Sequence, residues 1–479
     1  MPGLVDAHVH LNEPGRTEWE GFETGTKAAA SGGVTTVVDM PLNAIPPTTT
    51  VENFKVKVAA AQGKCWVDVG LYGGVIPGNE AELKGLVEAG VRGFKGFLIE
   101  SGVSQLLPMK PEISEANQSS QVDEFPAISA TDIRKAMHEL KDQPTTLMFH
   151  AEMIPPIADS VGDAVQSSDP PLAPHGDLTA YHTFLHSRPP SFETYAISEI
   201  LSMAPLAPDL HLHIVHLSAT ECIPLLREAR ASGFNITAET CFHYLGLKAE
   251  DIEDGDTRHK CCPPIRGSRN QDGLWSELAG SKTAEGCIRT VVSDHSPCTP
   301  ELKILPEHIG RPTFPHSDSG IDMTQALGEE VEEEIMDVMG HRGKKGNFFA
   351  AWGGISSVGL GLPILHTTAI ERGGARGSLL ELTDIVRLCS QETAKQVGLA
   401  HRKGGLKVGM DADICVFDDG EEWIFGKGEM RWKNKCSPWE GKRFIGKVKE
   451  TWVRARQVWD GRHVVGQPSG ELLLEKRTA

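Results

Sequence analysis

Two histidines, His8 and His10, stand two residues apart within the otherwise largely apolar run at residues 4–10. A strand turns successive side chains to opposite faces, so this spacing aims both rings the same way. Other polar residues interrupt or end later apolar runs: Lys95 inside Gly-Phe-Lys-Gly-Phe, His150 after Thr-Leu-Met-Phe, His216 after His-Ile-Val, and Asp294 after Thr-Val-Val-Ser. Taken singly, each reads as well as a core residue or a rim hydrogen bonder. Gathered at one opening they would carry a heavy desolvation cost unless paired or metal-bound. A free ammonium on Lys95 would repel cations held by histidines, whereas a carboxylated Lys95 offers two anionic oxygens and bridges two ions. The expected arrangement puts His8, His10 and Asp294 on one ion and His150 and His216 on the other. Lys95 and a hydroxide then lie between ions about 3.5–4 Å apart. Asp294 also suits the catalytic base: it would orient the hydroxide, accept its proton and return it to a leaving nitrogen.

These residues need a scaffold that brings strand ends together. Short β-rich runs recur at residues 4–10, 35–40, 65–72, 93–97, 146–152, 211–217, 235–241 and 288–295, with amphipathic stretches such as 80–88 and 131–140 between them. Alternating strand and helix argues for parallel α/β structure, and eight repeats argue for closure into a (β/α)8 TIM-type barrel with the site at its carboxyl-end mouth. Residues 308–347 read as an insertion with one acidic helix reaching about Met339, and 382–399 as helical. Beyond Ala412 the pattern changes to short strands at 414–417, 431–434, 444–451 and 457–459, ending in a frayed tail or edge from Gly470. The division expected is a barrel over 1–403 and a small β-sandwich part over 404–479.

Composition narrows the class. With 47 Lys+Arg against 65 Asp+Glu the net charge is −18, which disfavours nucleic acid and anionic membrane faces as partners. No stretch of 18 apolar residues is long enough to cross a bilayer, and the opening residues lack the basic and apolar regions of a signal peptide. The ten cysteines include no CxxC pair and read as free thiols. A cytoplasmic protein is expected, since the terminal Arg-Thr-Ala is not a peroxisomal signal.

The residues also carry a family resemblance. DAHVHLNEPG from Asp6, the lysine of GFKGF, HAE at 150–152, HLSA at 216–219 and SDHSPC at 293–298 resemble, in order, the motifs of the cyclic-amidase branch of the amidohydrolase superfamily. Within that branch FLIESGVSQ from Phe97, ETCFHYL from Glu239, KCCPPIR from Lys260 and NFFAAWGGISS from Asn347 are most similar to the allantoinases. The resemblance implies a (β/α)8 barrel beside a β-sandwich, two divalent ions (zinc first) on carboxylated Lys95, and a homotetramer. It also implies opening of the hydantoin ring of allantoin, in purine breakdown, to allantoate. Ser101 and the backbones near Cys262, Gly353 and Ile355 would hold the ring, with Arg16 and His243 in support. Ser101 could equally be a turn residue and Gly353-Gly354 a tight turn.

Two features depart from the pattern. Phe242 stands before His243 where the family has proline, which relaxes the backbone there. The chain starts almost at the first strand, so the β-sandwich reads as truncated at its N-terminal side, with exposed edges expected. Two rivals stay open: a dihydroorotase or dihydropyrimidinase, for which Arg16 would read a substrate carboxylate, and a non-catalytic scaffold resembling the dihydropyrimidinase-related proteins.

Overall fold

The computed structural model describes residues 1–100, 125–155, 174–280, 286–307, 309 and 345–477. Ser101 and nearly all of the 308–347 segment, with its expected acidic helix, lie outside them.

Nine strands precede residue 293: β1 Leu4–Val9, β2 Val34–Asp39, β3 Asp68–Leu71, β4 Gly73–Gly74, β5 Phe94–Phe97, β6 Thr146–His150, β7 His211–Ile214, β8 Ile236–Cys241 and β9 Ile288–Val292. Every one of the eight expected runs contains at least one of them. All pairings among them are parallel, in the order β1-β2-β3 in one sheet and β4 through β9 in another. Tyr72 alone separates the two sheets along the chain, its N–H bonded to Asp39 O at 3.0 Å while Gly73 N–H reaches Gly93 O at 2.9 Å. A parallel bridge joins Val9 to His295, and His10 N–H donates to His295 O at 2.8 Å, so the end of the last strand meets the end of the first. The ladders are therefore two parallel sheets that abut, not one continuous closed cylinder.

Helices cross between the strands where the sequence supplies start signals. The helix Ala130–Leu140 begins at Ser129, whose hydroxyl accepts Asp132 N–H at 3.3 Å while the Asp132 carboxylate accepts Ser129 N–H at 2.9 Å. Its Ile133, Ala136, Met137 and Leu140 recur at helical spacing and are buried. Both faces of β1, β2 and β6 are buried, as expected of strands covered by helices on one side and by a filled interior on the other. One contiguous core takes in Phe22, Val37, Leu71, Phe94, Phe149, Ile236 and Val291, and extends to Phe425, Trp432 and Phe444 of the C-terminal region.

That region forms an antiparallel sheet of β10 Ile414–Ile424, β11 Arg443–Val453 and β12 Arg456–Trp459. One expectation is corrected and another is narrowed. Residues 431–434 are not a strand, because their polar groups are spent elsewhere: Lys435 Nζ binds Met430 O and Trp432 O, and Asn434 donates to Glu18 O and Trp19 O of the first rim loop. The tail, expected frayed or as an edge, docks as an edge and is not frayed. Leu472 forms a parallel bridge with Val69, Leu473 N–H donates to Val69 O at 2.8 Å, and Leu473 is 1% exposed. Three consecutive leucines supply enough apolar area to dock this segment along β3. The helical expectation at 382–399 holds in outline, with a π-helical turn at Arg387–Gln391 between the helices Leu382–Val386 and Glu392–Gln396. All ten cysteines are free thiols, and among the described residues no helix is long and apolar enough to cross a membrane.

Candidate metal centre

The strand ends converge as the spacing argument requires. His8 Nε2 lies 3.2 Å from Asp294 Oδ1 and His10 Nε2 lies 3.4 Å from the same oxygen. Lys95 Nζ is 3.2 Å from His8 Nε2. The His216 ring stands 5.5 Å from that of His8 and 4.6 Å from that of His150, centre to centre. All six side chains are buried. His216 and Asp294 both adopt positive φ, 39° and 44°. A non-glycine residue held there carries local strain of about 1–3 kcal/mol, and such strain is characteristic of functional sites.

Three of the four rings are held from behind. His8 Nδ1 meets Glu239 Oε1 at 2.5 Å, and Glu239 also contacts His213 Nε2 at 3.2 Å and accepts His216 N–H at 3.4 Å. The Asn43 amide lies 3.2 Å from His10 Nδ1. His150 Nε2 meets Glu152 Oε2 at 2.8 Å, and Glu152 is paired in turn with half-buried Arg188. The Asp39 carboxylate accepts Leu11 N–H at 2.7 Å and is neutralised by buried Lys57 at 2.6 Å, which anchors the backbone just beyond His10. The histidine nitrogens opposite these partners thus point into the shared space, and among the described residues His216 Nδ1 has no partner at all.

The electrostatics suit cation binding. Burial, reinforced by Lys95, lowers the His8 pKa to about 4, and burial likewise lowers His10, His150 and His216. Burial would raise Asp294, but His8, His10 and His216 together hold it well below the usual carboxylate range. Burial lowers Lys95 to about 8, against the opposing pull of Asp294 and Glu239. Neutral imidazoles, an anionic carboxylate and a partly deprotonated amine are the states that a divalent ion and a carbamate require. His8, His10 and Asp294 present donor atoms within 4.8 Å of one another. His150 and His216 form a pair beside them, so a second ion held there would need a further donor, and Lys95 is the adjacent candidate. The residues fit a two-ion centre.

Of the expected ring-holding residues, Cys262, Gly353 and Ile355 are described. Ser296 follows Asp294, donates its hydroxyl to Asp294 Oδ1 at 2.9 Å, and gives its N–H to Ile355 O at 3.1 Å. Gly354 has φ 148°, and a Cβ there would sit 2.3 Å from Ser296 O, so this glycine is demanded by the close approach of two rim loops. Gly353 has room for a side chain: its Cβ would stand 3.9 Å from Cys262 Sγ. Buried Lys260 donates to Phe349 O and Ala351 O, and buried Lys303 to Trp352 O and Gly354 O, which turns those carbonyls aside. Cys262, Gly353 and Ile355 are therefore brought to the Asp294 side of the opening. Arg16 is buried under the rim, its Nη1 donating to Asn43 O at 2.8 Å and its guanidinium 5.0 Å from the Trp19 ring centre. His243 is buried, with both ring nitrogens unpartnered among the described residues.

Sequence reasoning passed over Glu239, Arg188 and Asn43, and gave no role to Glu152. Their signal was available: Glu239 lies two residues before Cys241 on an apolar strand, where a charged residue needs a partner.

Known proteins similar to this chain fall in one family. Two amidohydrolase family descriptions match the chain, one over residues 1–161 and the other over 364–458. The chain is 45% identical to an allantoinase of Saccharomyces cerevisiae, over 100% of this chain and 86% of that protein. It is 36% identical to an allantoinase of Arabidopsis thaliana, covering 97% and 78% respectively. Among solved structures, the L-hydantoinase (dihydropyrimidinase) of Arthrobacter aurescens superposes with a TM-score of 0.74 at 24% identity, covering 98% of this chain and 86% of that one.

Proposed function

This chain belongs to the allantoinase family of amidohydrolases, and on that premise we propose that it hydrolyses the hydantoin ring amide of allantoin to allantoate. The observation that carries the reading is the meeting of four neutral histidines, an anionic aspartate and a buried lysine at adjoining strand ends. In the same reading the abutting parallel sheets are the staves of a (β/α)8 barrel over residues 1–403, and 404–479 are part of a β-sandwich domain.

His8, His10 and Asp294 would hold one ion, His150 and His216 the other, and Lys95 as its carbamate would join them, zinc being the first choice. When bound, the ion pair supplies a nucleophile at neutral pH and polarises the scissile carbonyl. A buried Lys95 with a lowered pKa reaches the free amine needed to add carbon dioxide, giving a carbamate and one proton. Asp294 takes the proton released on attack and delivers it to the ring nitrogen that departs, and the Ser296 hydroxyl, donating to Oδ1, holds the carboxylate in place. Backbone groups near Cys262, Gly353 and Ile355, with Ser101, would orient the ring.

Arg16 donates Nη1 to Asn43 O and lies over the Trp19 ring, and a guanidinium committed in this way disfavours the carboxylate-reading role of the dihydroorotase rival. Assay of the zinc- and bicarbonate-treated protein on allantoin, hydantoin, dihydrouracil and dihydroorotate tests the reading. Preferential opening of allantoin, abolished by Lys95→Ala and by Asp294→Ala, is the expected result. Preference for dihydroorotate or dihydrouracil would overturn the substrate, and a folded, metal-loaded protein inert on all four would overturn the hydrolase.

A further inference from the structure

Beside the six side chains described above lies a second donor set. Cys241 ends β8 and His243 sits in the short helix Phe242–Gly246 that follows. The thiol sulfur, a ring nitrogen of His243 and an Asp294 carboxylate oxygen lie within 4.8 Å of one another. Cys241 is 0% and His243 1% exposed, and neither ring nitrogen of His243 has a hydrogen-bond partner among the described residues. Buried imidazoles are normally engaged, and this one faces a carboxylate and a thiol with nothing between. Alternation along β8 explains the placement: Glu239 and Cys241 share one face, Glu239 against His8 and Cys241 one step nearer the opening.

A thiol, an imidazole and a carboxylate gathered this closely are donors for a borderline-soft divalent ion. We propose that Cys241, His243 and Asp294 form a third cation site, selective for thiophilic ions such as Zn2+, Cd2+ or Co2+ over Mg2+, which fills after the two-ion centre and inhibits the enzyme. On binding, the sulfur–hydrogen bond breaks, the proton leaves to solvent and the sulfur–metal bond forms, with no change of oxidation state. Asp294 would be shared with the first ion, and neighbouring cations repel, so the third ion binds most weakly. The inhibition, though not the binding, rests on the role given above to Asp294: a third ion on that carboxylate removes its capacity to take and return a proton.

The test is stepwise return of Co2+ to metal-free full-length protein, counting equivalents and following the thiolate-to-cobalt charge-transfer absorption. Two equivalents without that absorption and a third that brings it are expected. Cys241→Ala and Cys241→Ser should bind two equivalents, lack the band, retain activity at low zinc, and need about tenfold more zinc for half inhibition, the order of loss expected when a metal site is weakened. Binding that stops at two equivalents without the band overturns the proposal whether or not the variants fold, as does a band that persists in Cys241→Ala. A single equivalent carrying the band would uphold this site and sink the two-ion reading instead.

Discussion

Replacing Glu239 by glutamine and by alanine separates what its charge does from what its oxygens do. The carboxylate serves three donors: the His8 ring at 2.5 Å, the His213 ring at 3.2 Å and the His216 N–H at 3.4 Å. Glutamine keeps one acceptor oxygen for His8, and its amide group can donate to His213 if that ring changes tautomer, with Nδ1 then donating to Thr237 Oγ1 at 2.7 Å. The fold should survive Glu239→Gln nearly intact. The ring of His8 loses its anionic partner, however, and metal affinity should fall about 10- to 100-fold, roughly 1.4–2.7 kcal/mol. Alanine leaves the His8 and His216 donors buried without an acceptor, at about 1–3 kcal/mol each, so Glu239→Ala should lose roughly 2–6 kcal/mol of stability as well. Chelator competition measures the first effect, and chemical unfolding of the metal-free proteins measures the second. Should Glu239→Gln hold both ions as tightly as the parent, the orientation of His8 by this carboxylate would be refuted.

Other perturbations test the remaining framework. Burial would raise Glu152, but Arg188 and His150 outweigh it and lower its pKa from 4.5 to about 2. A depressed folded pKa contributes stability above the unfolded value that is lost as pH falls, here roughly 3 kcal/mol between pH 4.5 and 2. Arg188→Met should abolish that acid dependence in unfolding measured against pH, and cost about 3–5 kcal/mol at neutral pH. Lys403 lies buried among Asp68, Asp411 and Asp413 at 2.5, 2.9 and 2.7 Å. Lys403→Met should destabilise by about 3–5 kcal/mol near neutrality, with a smaller deficit as acid protonates the carboxylates, visible in urea titrations at two pH values. Leu473→Ala should cost about 2–5 kcal/mol in thermal or urea unfolding, whereas Leu406→Ala, at a residue 51% exposed, should change stability by less than about 0.5 kcal/mol.

The convergence of His8, His10, Lys95, His150, His216 and Asp294 was legible because each is a polar residue at or just past an apolar strand, and parallel strands send their ends to one side. What holds those rings was not legible. Glu239 and Arg188 lie 231 and 36–38 residues from the groups they serve, or serve through Glu152, and no local period links such partners. The small antiparallel region was read in outline, but residues 431–434 looked strand-like because Trp432 is buried, and burial alone does not distinguish a strand from a docked loop. The tail was read as frayed or an edge: a terminal position suggested fraying, while three leucines in succession decided for an edge docked on β3.

The contact of His10 N–H with His295 O, and of His8 with Asp294, spans some 286 positions of chain. During synthesis His8 and His10 emerge long before Asp294, the carboxylate they share, and their three-ligand pocket does not exist until the last strand of the parallel series has been made. Rim loops also wait for Lys433 and Asn434, which tie down Glu20, Glu18 and Trp19 only once the C-terminal region has docked. That order predicts ion capture after folding, the reverse of a small zinc module: metal-stripped protein should keep its circular dichroism spectrum and cooperative unfolding, and loss of both on stripping would refute it.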